Sequence, residues 1–182
     1  MSRRRTLSIP VVAEASEVQP PFTADGSVAG GVPPAGVLER LTRLACQVLQ
    51  APVAIISLLE SGGLSLGACC GFDGLGYDPA FCKRTVRGDA ALIVPDARLD
   101  PRFCNEAIVT GAPGVRFYAG FPLVSAAGER LGTLCVIDFQ PRAGLEPNQL
   151  EAFEDLAAVT VDAFGLRRTA QCHRQPSPRW DE

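Results

Sequence analysis

The chain has 182 residues, of which 47% are apolar and 7% aromatic, and its formal net charge at pH 7 is −3. This length predicts one domain with a substantial core that is filled mainly by aliphatic side chains. The weak negative charge gives no electrostatic reason to expect binding to nucleic acid or to an anionic membrane. No run reaches the roughly 18 apolar residues of a membrane helix, and no signal-peptide pattern follows Met1, so we expect a cytoplasmic protein.

Both ends of the chain are predicted to be disordered. Residues 1–32 lack apolar periodicity and carry Pro10, Pro20 and Pro21, and residues 171–182 are polar and contain two further prolines. Such segments cannot bury enough apolar surface to offset the entropy of ordering. We therefore predict a flexible arm, a domain over residues 33–170 and a flexible tail.

The stretch between the ends alternates helical and strand-like patterns. Helices are indicated by apolar residues that recur every three or four positions, and strands by a period of two or by short apolar runs between turn residues. In chain order we predict a helix (33–50), two paired strands (53–59 and 64–70), a short helix (79–86), a brief strand (91–94), an antiparallel hairpin (117–124 and 131–138) and a long helix (147–170). This order predicts an α+β fold in which two helices cover one face of an antiparallel sheet.

Seven cysteines are spread along the chain without a disulfide or metal pattern. The number is odd, no Cys-x-x-Cys pair occurs, and the single histidine, His173, lies near the C-terminus. A structural zinc site needs about four ligands at defined spacing. We therefore predict no metal site, reduced thiols, and a core position for Cys135 in the middle of its strand. The cysteines are Cys46, Cys69, Cys70, Cys82, Cys104, Cys135 and Cys172.

Four motifs in a fixed order carry a family resemblance. They are VPDA at 94–97, DPRF at 100–103, VRFYAG at 115–120 and LGTLCVID at 131–138. Over roughly Pro33 to Arg168 the chain resembles a GAF domain, and more closely a bacterial signalling subgroup of that family. The resemblance implies a profilin-like central antiparallel sheet of five to six strands, with the N- and C-terminal helices on one face. Loops and short helices would cover the other face as a roof, formed by Gly71 to Arg87 and Asp96 to Val115.

In this family small molecules bind between the sheet and the roof, so the resemblance implies a set of candidate ligand-binding residues. Arg116 could hold an anion, or it could pair with Asp96 or Asp100 and pin the roof to the sheet. Asp138 is predicted to cap the turn before Pro141. The full candidate set is Cys82, Arg84, Asp96, Phe103, Cys104, Arg116, Tyr118 and Asp138.

The cofactors known in the family have no matching residues in the domain. Bilin photoreceptors of this kind attach their chromophore to a cysteine that is commonly followed by histidine, whereas Cys82 is followed by Lys83 and Arg84. A haem iron in these sensors needs a histidine, which the domain lacks. The Asn-Lys-x-x-x-Phe pattern of cyclic-nucleotide GAF domains is also missing. We expect no covalent bilin and no haem.

Three functions remain open. The first is a non-catalytic sensory or regulatory module that binds an unknown small molecule and dimerises through its terminal helices. The second is thiol chemistry at Cys82 and Cys104, as a redox sensor or as a free methionine-R-sulfoxide reductase, where basic neighbours such as Lys83 could lower a thiol pKa. The third is a degenerate domain that serves dimerisation only.

Overall fold

The computed structural model describes residues 33, 35–71 and 78–172. The predicted N-terminal arm and the part of the predicted tail beyond residue 172 lie outside these ranges. Each predicted helix and strand is present to within a few residues, and one further short helix lies in the predicted loop. The helices are α1 (Ala35–Val48), α2 (Ala80–Thr85), α3 (Ala107–Thr110) and α4 (Pro147–Cys172). The strands are β1 (Val53–Glu60), β2 (Gly63–Cys70), β3 (Leu92–Val94), β4 (Phe117–Val124) and β5 (Arg130–Asp138).

The five strands form one antiparallel sheet in the order β2-β1-β5-β4-β3. The central strand β5 pairs with β1 on one side and with β4 on the other. Both β1 and β5 are buried along most of their length, and their sequences are nearly continuous apolar runs. This pattern is typical of strands that are covered on both faces. The α+β class and the antiparallel sheet are confirmed. No helix within the described ranges is long and apolar enough to cross a membrane.

The contact between β1 and β5 depends on a glycine. Gly132 has a φ of +153°, and a Cβ atom there would lie 1.9 Å from the carbonyl oxygen of Ser57. Any other residue would force the strands apart, so glycine permits this close approach. The resulting register sets Ser57 beside Thr133 and Ile55 beside Cys135.

Helices α1 and α4 cover one face of the sheet and form the first of two core clusters. The predicted two-helix layer is present, but α1 does not bury all the residues of its apolar pattern: Leu44 is 44% exposed and Val48 40% exposed. Leu38 in α1 and Leu49, which follows the last residue of α1, are buried instead. The buried apolar residues of α1, of the turn after it and of α4 are Leu38, Leu41, Ala45, Leu49, Phe153, Ala157 and Phe164.

The roof covers the opposite face and forms the second core cluster. Residues 72–77 of the roof lie outside the described ranges, and the rest comprises α2, α3 and their connecting loops. Its buried apolar side chains pack on residues of β1, β4 and β5 that alternate with those facing the helices, because successive side chains of a strand point to opposite faces of the sheet. From the roof these residues are Phe81, Cys82, Ala97, Phe103, Ile108, Val109 and Val115.

Candidate functional site

Three stacked aromatic rings join the roof to the sheet. Phe81 on α2 lies between Phe103 of the roof loop and Tyr118 of β4, with ring centroids 4.2 Å and 4.8 Å apart respectively. All three side chains are buried. The structure therefore brings the predicted site residues Phe103 and Tyr118 together through Phe81, and it places Cys82 next to them on α2.

The Tyr118 ring occupies space that a glycine leaves open. Gly120 lies two residues further along β4, and a Cβ atom there would lie 2.4 Å from the Tyr118 hydroxyl oxygen. The hydroxyl itself lies 2.7 Å from the Thr85 hydroxyl on α2. Burial raises the pKa of Tyr118 well above its usual value of 10.0, so the phenol keeps its proton and can donate a hydrogen bond.

Two buried thiols meet beside this tyrosine. The Sγ atoms of Cys82 on α2 and Cys135 on β5 are 3.7 Å apart. The Ser57 hydroxyl donates to Cys82 Sγ at 3.4 Å, and the Tyr118 hydroxyl donates to it at 3.8 Å. Thr133 lies on the same face of β5 as Cys135, and its buried Oγ1 has no hydrogen-bond partner among the described residues. We refer to these five residues as the thiol cluster.

The thiol cluster distinguishes its two cysteines electrostatically. The hydrogen bond from Cys135 lowers the pKa of Cys82 below the ordinary thiol value, against the opposing effect of burial, and the hydroxyls of Ser57, Thr133 and Tyr118 act in the same direction. The same hydrogen bond, together with burial, raises the pKa of Cys135. Loss of a proton from this cluster is therefore favoured at Cys82 over Cys135.

Two aspartates of the roof, Asp96 and Asp100, form local ion pairs. The Asp96 carboxylate binds Arg98 with an N–O distance of 2.7 Å, and the Asp100 carboxylate binds Arg102 at 2.6 Å. The paired arginine is the main cause that lowers the pKa of each carboxyl, and Arg84 on α2 adds a smaller favourable charge interaction with Asp100. Two predicted site residues, Arg84 and Asp96, thus belong to the polar rim of the roof.

Arg116 holds the roof to the sheet, but not through the predicted ion pair with Asp96 or Asp100. Its guanidinium donates to the carbonyl oxygens of Val109, at 3.0 Å, and Val115, at 2.9 Å. Its backbone N–H donates to the Asp138 carbonyl, and its own carbonyl accepts from Ala97 N–H. The two aspartates form their ion pairs with Arg98 and Arg102 instead, although the charge of Arg116 still helps to lower the pKa of Asp96.

Asp138 caps the turn that follows β5, as predicted. Its Oδ1 accepts the backbone N–H of Gln140 at 3.0 Å, and its Oδ2 accepts from Arg142 Nε at 2.8 Å. Arg142 also donates to the carbonyl oxygens of Leu49 and Gln50 just after α1. The Asp138 carboxylate is therefore engaged in linking the end of β5 to the end of α1.

Cys104 is not a partner of Cys82 in the described structure. It is half-buried in the roof loop, where its backbone N–H donates to the Asp100 carbonyl. The sulfur atom that contacts Cys82 belongs to Cys135, which the sequence had placed only in the core. Ser57 and Thr133 were missed as well. The one feature of the sequence that could have indicated Ser57 and Thr133 is that each is a hydroxyl residue in a mostly apolar strand.

Two surface cavities are lined by described residues. One, of about 280 Å³, lies between the β1–β2 turn and α2, and its wall includes Glu60, Lys83 and Arg87. The other, of about 470 Å³, lies between α4 and the end of β4, beside Phe121 and Glu154. Neither wall includes a residue of the predicted candidate set, although the first cavity borders the helix that carries Cys82.

Comparison with known families decides the assignment. The GAF domain model matches residues 33–163. The chain belongs to the GAF domain family. It is 35% identical over 144 residues to a cyclic di-GMP phosphodiesterase of Pseudomonas aeruginosa, a match that covers 78% of this chain and 24% of that protein. The chain thus spans about a quarter of this relative.

Solved structures of GAF-fold proteins share the architecture at low sequence identity. The GAF domain of a phosphoenolpyruvate-protein phosphotransferase from Coxiella burnetii matches with a TM-score of 0.61 at 18% identity, over 76% of this chain and 86% of that one. Free methionine-R-sulfoxide reductase from Neisseria meningitidis matches with 0.61 at 16% identity, over 75% and 80%. The PixJ GAF domain of Thermosynechococcus elongatus matches with 0.57 at 16% identity, over 78% and 94%. These neighbours support the fold alone.

Proposed function

We propose that this GAF domain is a sensory or regulatory module that binds a small molecule and catalyses no reaction of its own. Its relationship to a cyclic di-GMP phosphodiesterase supports a role in signalling. Since the chain spans about a quarter of that relative, the hydrolytic activity of the whole relative does not transfer with the match. We expect no turnover of cyclic di-GMP by the isolated chain.

The observation that carries ligand binding is the cavity of about 280 Å³ between the β1–β2 turn and α2. One edge of this cavity is formed by α2, the helix that also carries Cys82 of the thiol cluster. The cavity wall offers Lys83 and Arg87, which suit a ligand with an anionic group. Such a ligand would change the position of α2 relative to the sheet.

The direct test is native mass spectrometry of freshly purified protein, followed by thermal shift measurements with cyclic di-GMP, cyclic AMP and cyclic GMP. A ligand at a hundred times its dissociation constant stabilises a domain by about 2.7 kcal/mol, which raises the melting temperature clearly. Lys83→Ala should reduce that shift, and Arg43→Ala, an exposed change on α1, should leave it intact. Failure to find either a retained molecule or a shift would favour the degenerate domain.

We also propose that the domain dimerises through α1 and α4. Exposed apolar residues on these helices support this proposal, namely Leu44 and Val48, spaced one turn apart on α1, and Val159 on α4, which is 52% exposed. Leu44→Lys should convert a dimer to a monomer in analytical ultracentrifugation. Leu99→Lys is the matched control, because Leu99 is 81% exposed in the roof. Dissociation by both variants, or a monomeric wild type, would contradict the proposed interface.

A free methionine-R-sulfoxide reductase remains the catalytic alternative. The sequence predicts Cys82 and Cys104 as the two cysteines of such an enzyme, whereas the sulfur atom that contacts Cys82 belongs to Cys135. The corresponding assay supplies free methionine-R-sulfoxide and dithiothreitol and follows methionine formation. We expect none, and sustained turnover that is lost in Cys82→Ser would replace the sensory proposal.

A further inference from the structure

The buried pair of cysteines has a geometry that a purely apolar core does not require. Cys82 is 3% exposed and Cys135 is fully buried, and their sulfur atoms are in hydrogen-bond contact across the interface between α2 and β5. We propose that Cys82 and Cys135 are a redox couple, in which a hydroperoxide oxidises Cys82 and Cys135 then closes a disulfide between the roof and the sheet. This inference goes beyond the proposed function and does not depend on any ligand.

The surroundings of Cys82 favour its role as the attacking sulfur. Ser57 and Tyr118 both direct hydroxyl donors at its Sγ. A thiolate accepts such bonds far better than a neutral thiol, which is a weak acceptor. The unpartnered hydroxyl of Thr133 would gain an acceptor when Cys82 carries the charge, since Thr133 is one of the groups that stabilise this thiolate.

The chemistry balances with a hydroperoxide as the only oxidant. The Cys82 thiolate attacks the terminal oxygen, the O–O bond breaks, and the alcohol or water leaves with a proton, which yields a sulfenic acid. The sulfur of Cys135 then attacks the Cys82 sulfur, the S–O bond breaks, and hydroxide leaves with the Cys135 proton as water. Two thiols are oxidised by two electrons, and one O–O bond is reduced.

The disulfide would act on the position of α2. A disulfide bond is about 2.05 Å long, so the two sulfur atoms must approach by roughly 1.6 Å from their present 3.7 Å. Strand β5 lies in the centre of the sheet, whereas α2 has six residues, which is fewer than two turns. The helix is therefore the part that moves. Lys83 and Arg87, which line the cavity beside it, would be displaced with it.

Oxidant must reach a buried sulfur, and the shortness of α2 supplies a route. Local opening costs less where fewer backbone hydrogen bonds and buried contacts are lost, and α2 has six residues against nine in the doubly paired strand β5. Partial opening of α2 admits the oxidant while Ser57 and Tyr118 still face Cys82, and Cys135, which stays in the sheet, resolves the sulfenic acid when the helix closes. This order also limits over-oxidation, because Cys135 competes with a second peroxide molecule.

Peptide mapping tests the couple in the wild-type protein. Folded protein is treated with hydrogen peroxide, free thiols are blocked with iodoacetamide in denaturant, and the sample is digested with chymotrypsin without reduction. Cleavage after Phe81 and Leu134 separates Cys82 and Cys135 from the other cysteines. We expect a linked pair of peptides, Cys82–Leu92 and Cys135–Phe139, lighter by two hydrogen atoms and separated by dithiothreitol. The Cys82–Cys135 link should form at a rate that is about tenfold or more above the rate of Cys46 oxidation.

Two variants distinguish the couple from accidental oxidation. In Cys135→Ala, Cys82 should accumulate as a sulfenic acid that dimedone traps, whereas Cys46→Ala on α1 should cross-link like the wild type. The proposal is overturned if folded wild-type protein oxidises elsewhere without the Cys82–Cys135 link, or if Cys82 links to Cys104. It is also overturned if urea-unfolded protein cross-links as fast as the folded form. The wild-type mapping decides the matter even where Cys135→Ala does not fold.

Discussion

Replacing Gly120 with alanine tests whether the Tyr118 ring determines the packing of the site. The added Cβ would lie 2.4 Å from the Tyr118 hydroxyl oxygen, 2.8 Å from Cζ and 2.9 Å from Cε1. Such contacts are too short for carbon, so the ring must move. It has little freedom to do so, because Phe81 stacks on it at 4.8 Å and Thr85 holds its hydroxyl at 2.7 Å.

The expected cost follows from these contacts. Overpacking a well-filled core costs about 1–3 kcal/mol, and separating a buried hydroxyl from its partner costs about 1–3 kcal/mol. Alanine recovers about 0.5–1 kcal/mol relative to glycine in a strand. Together these contributions lower the free energy of unfolding of Gly120→Ala by about 1–5 kcal/mol, centred near about 3 kcal/mol, so the variant stays folded if the wild type lies near the middle of the usual range of about 5–15 kcal/mol.

Urea denaturation followed by circular dichroism measures this change. Gly62→Ala is the control, because a Cβ there meets no atom within 4 Å, and it should stay within about 0.5 kcal/mol of wild type. In Tyr118→Phe the shortest contact disappears, so adding Gly120→Ala to it should cost less than adding it to wild type. If Gly120→Ala behaves like Gly62→Ala, or if the effects of Gly120→Ala and Tyr118→Phe are additive, the Tyr118 ring does not determine this packing.

Two further substitutions and one labelling experiment test other contacts. Asp100→Asn removes the carboxylate that pairs with Arg102. In the wild type Arg102 lowers the pKa of Asp100, and the resulting stabilisation of less than about 1 kcal/mol is present at neutral pH and is lost as the pH falls through the folded-state pKa of Asp100. Thermal melts of the variant and the wild type should therefore converge in acid. Gly165→Ala, at an open position of α4, should stabilise by about 0.5–1 kcal/mol in urea; a loss would contradict the helix there. The hydrogen bond from Cys135 lowers the pKa of Cys82, whereas burial raises that of Cys46 to about 12. Mass spectrometry should therefore show iodoacetamide labelling of Cys82 at a lower pH than of Cys46, and the reverse order would refute the assignment.

The elements of the fold could be predicted because their signals are local. Alternation in β4 and β5, and helical spacing in α4, located these elements to within a few residues. The buried side of α1 was harder to predict, because the apolar residues of the helix cover more than one face. Leu44 and Val48 fit the helical pattern as well as Leu38 and Leu49 do. The contact with the sheet, which the sequence does not show, selects between them.

The structure brings three of the candidate residues together and shows one contact that the sequence did not indicate. Cys82 and Phe103 of the roof lie near Tyr118 of the sheet. Cys104, which is nearer in the chain, was predicted as the partner of Cys82, whereas the sulfur atom that contacts Cys82 belongs to Cys135 on β5. To find Cys135 one must know the rotation of α2 about its axis and the register of β5, and both depend on long-range packing. For the same reason Ser57 and Thr133 could not be assigned.

Ligand binding and disulfide formation would both act on α2. A ligand in the cavity beside Lys83 would contact the helix from the β1–β2 turn, and the Cys82–Cys135 bond would tie the helix to β5. If both occur, linkage requires that each alters the other's equilibrium by the same factor. A tenfold change in ligand affinity between the reduced and oxidised forms must appear as a shift of about 30 mV in the reduction potential of the couple. Redox titration with and without the ligand measures that shift, and an affinity change without it would show that α2 does not couple the two events.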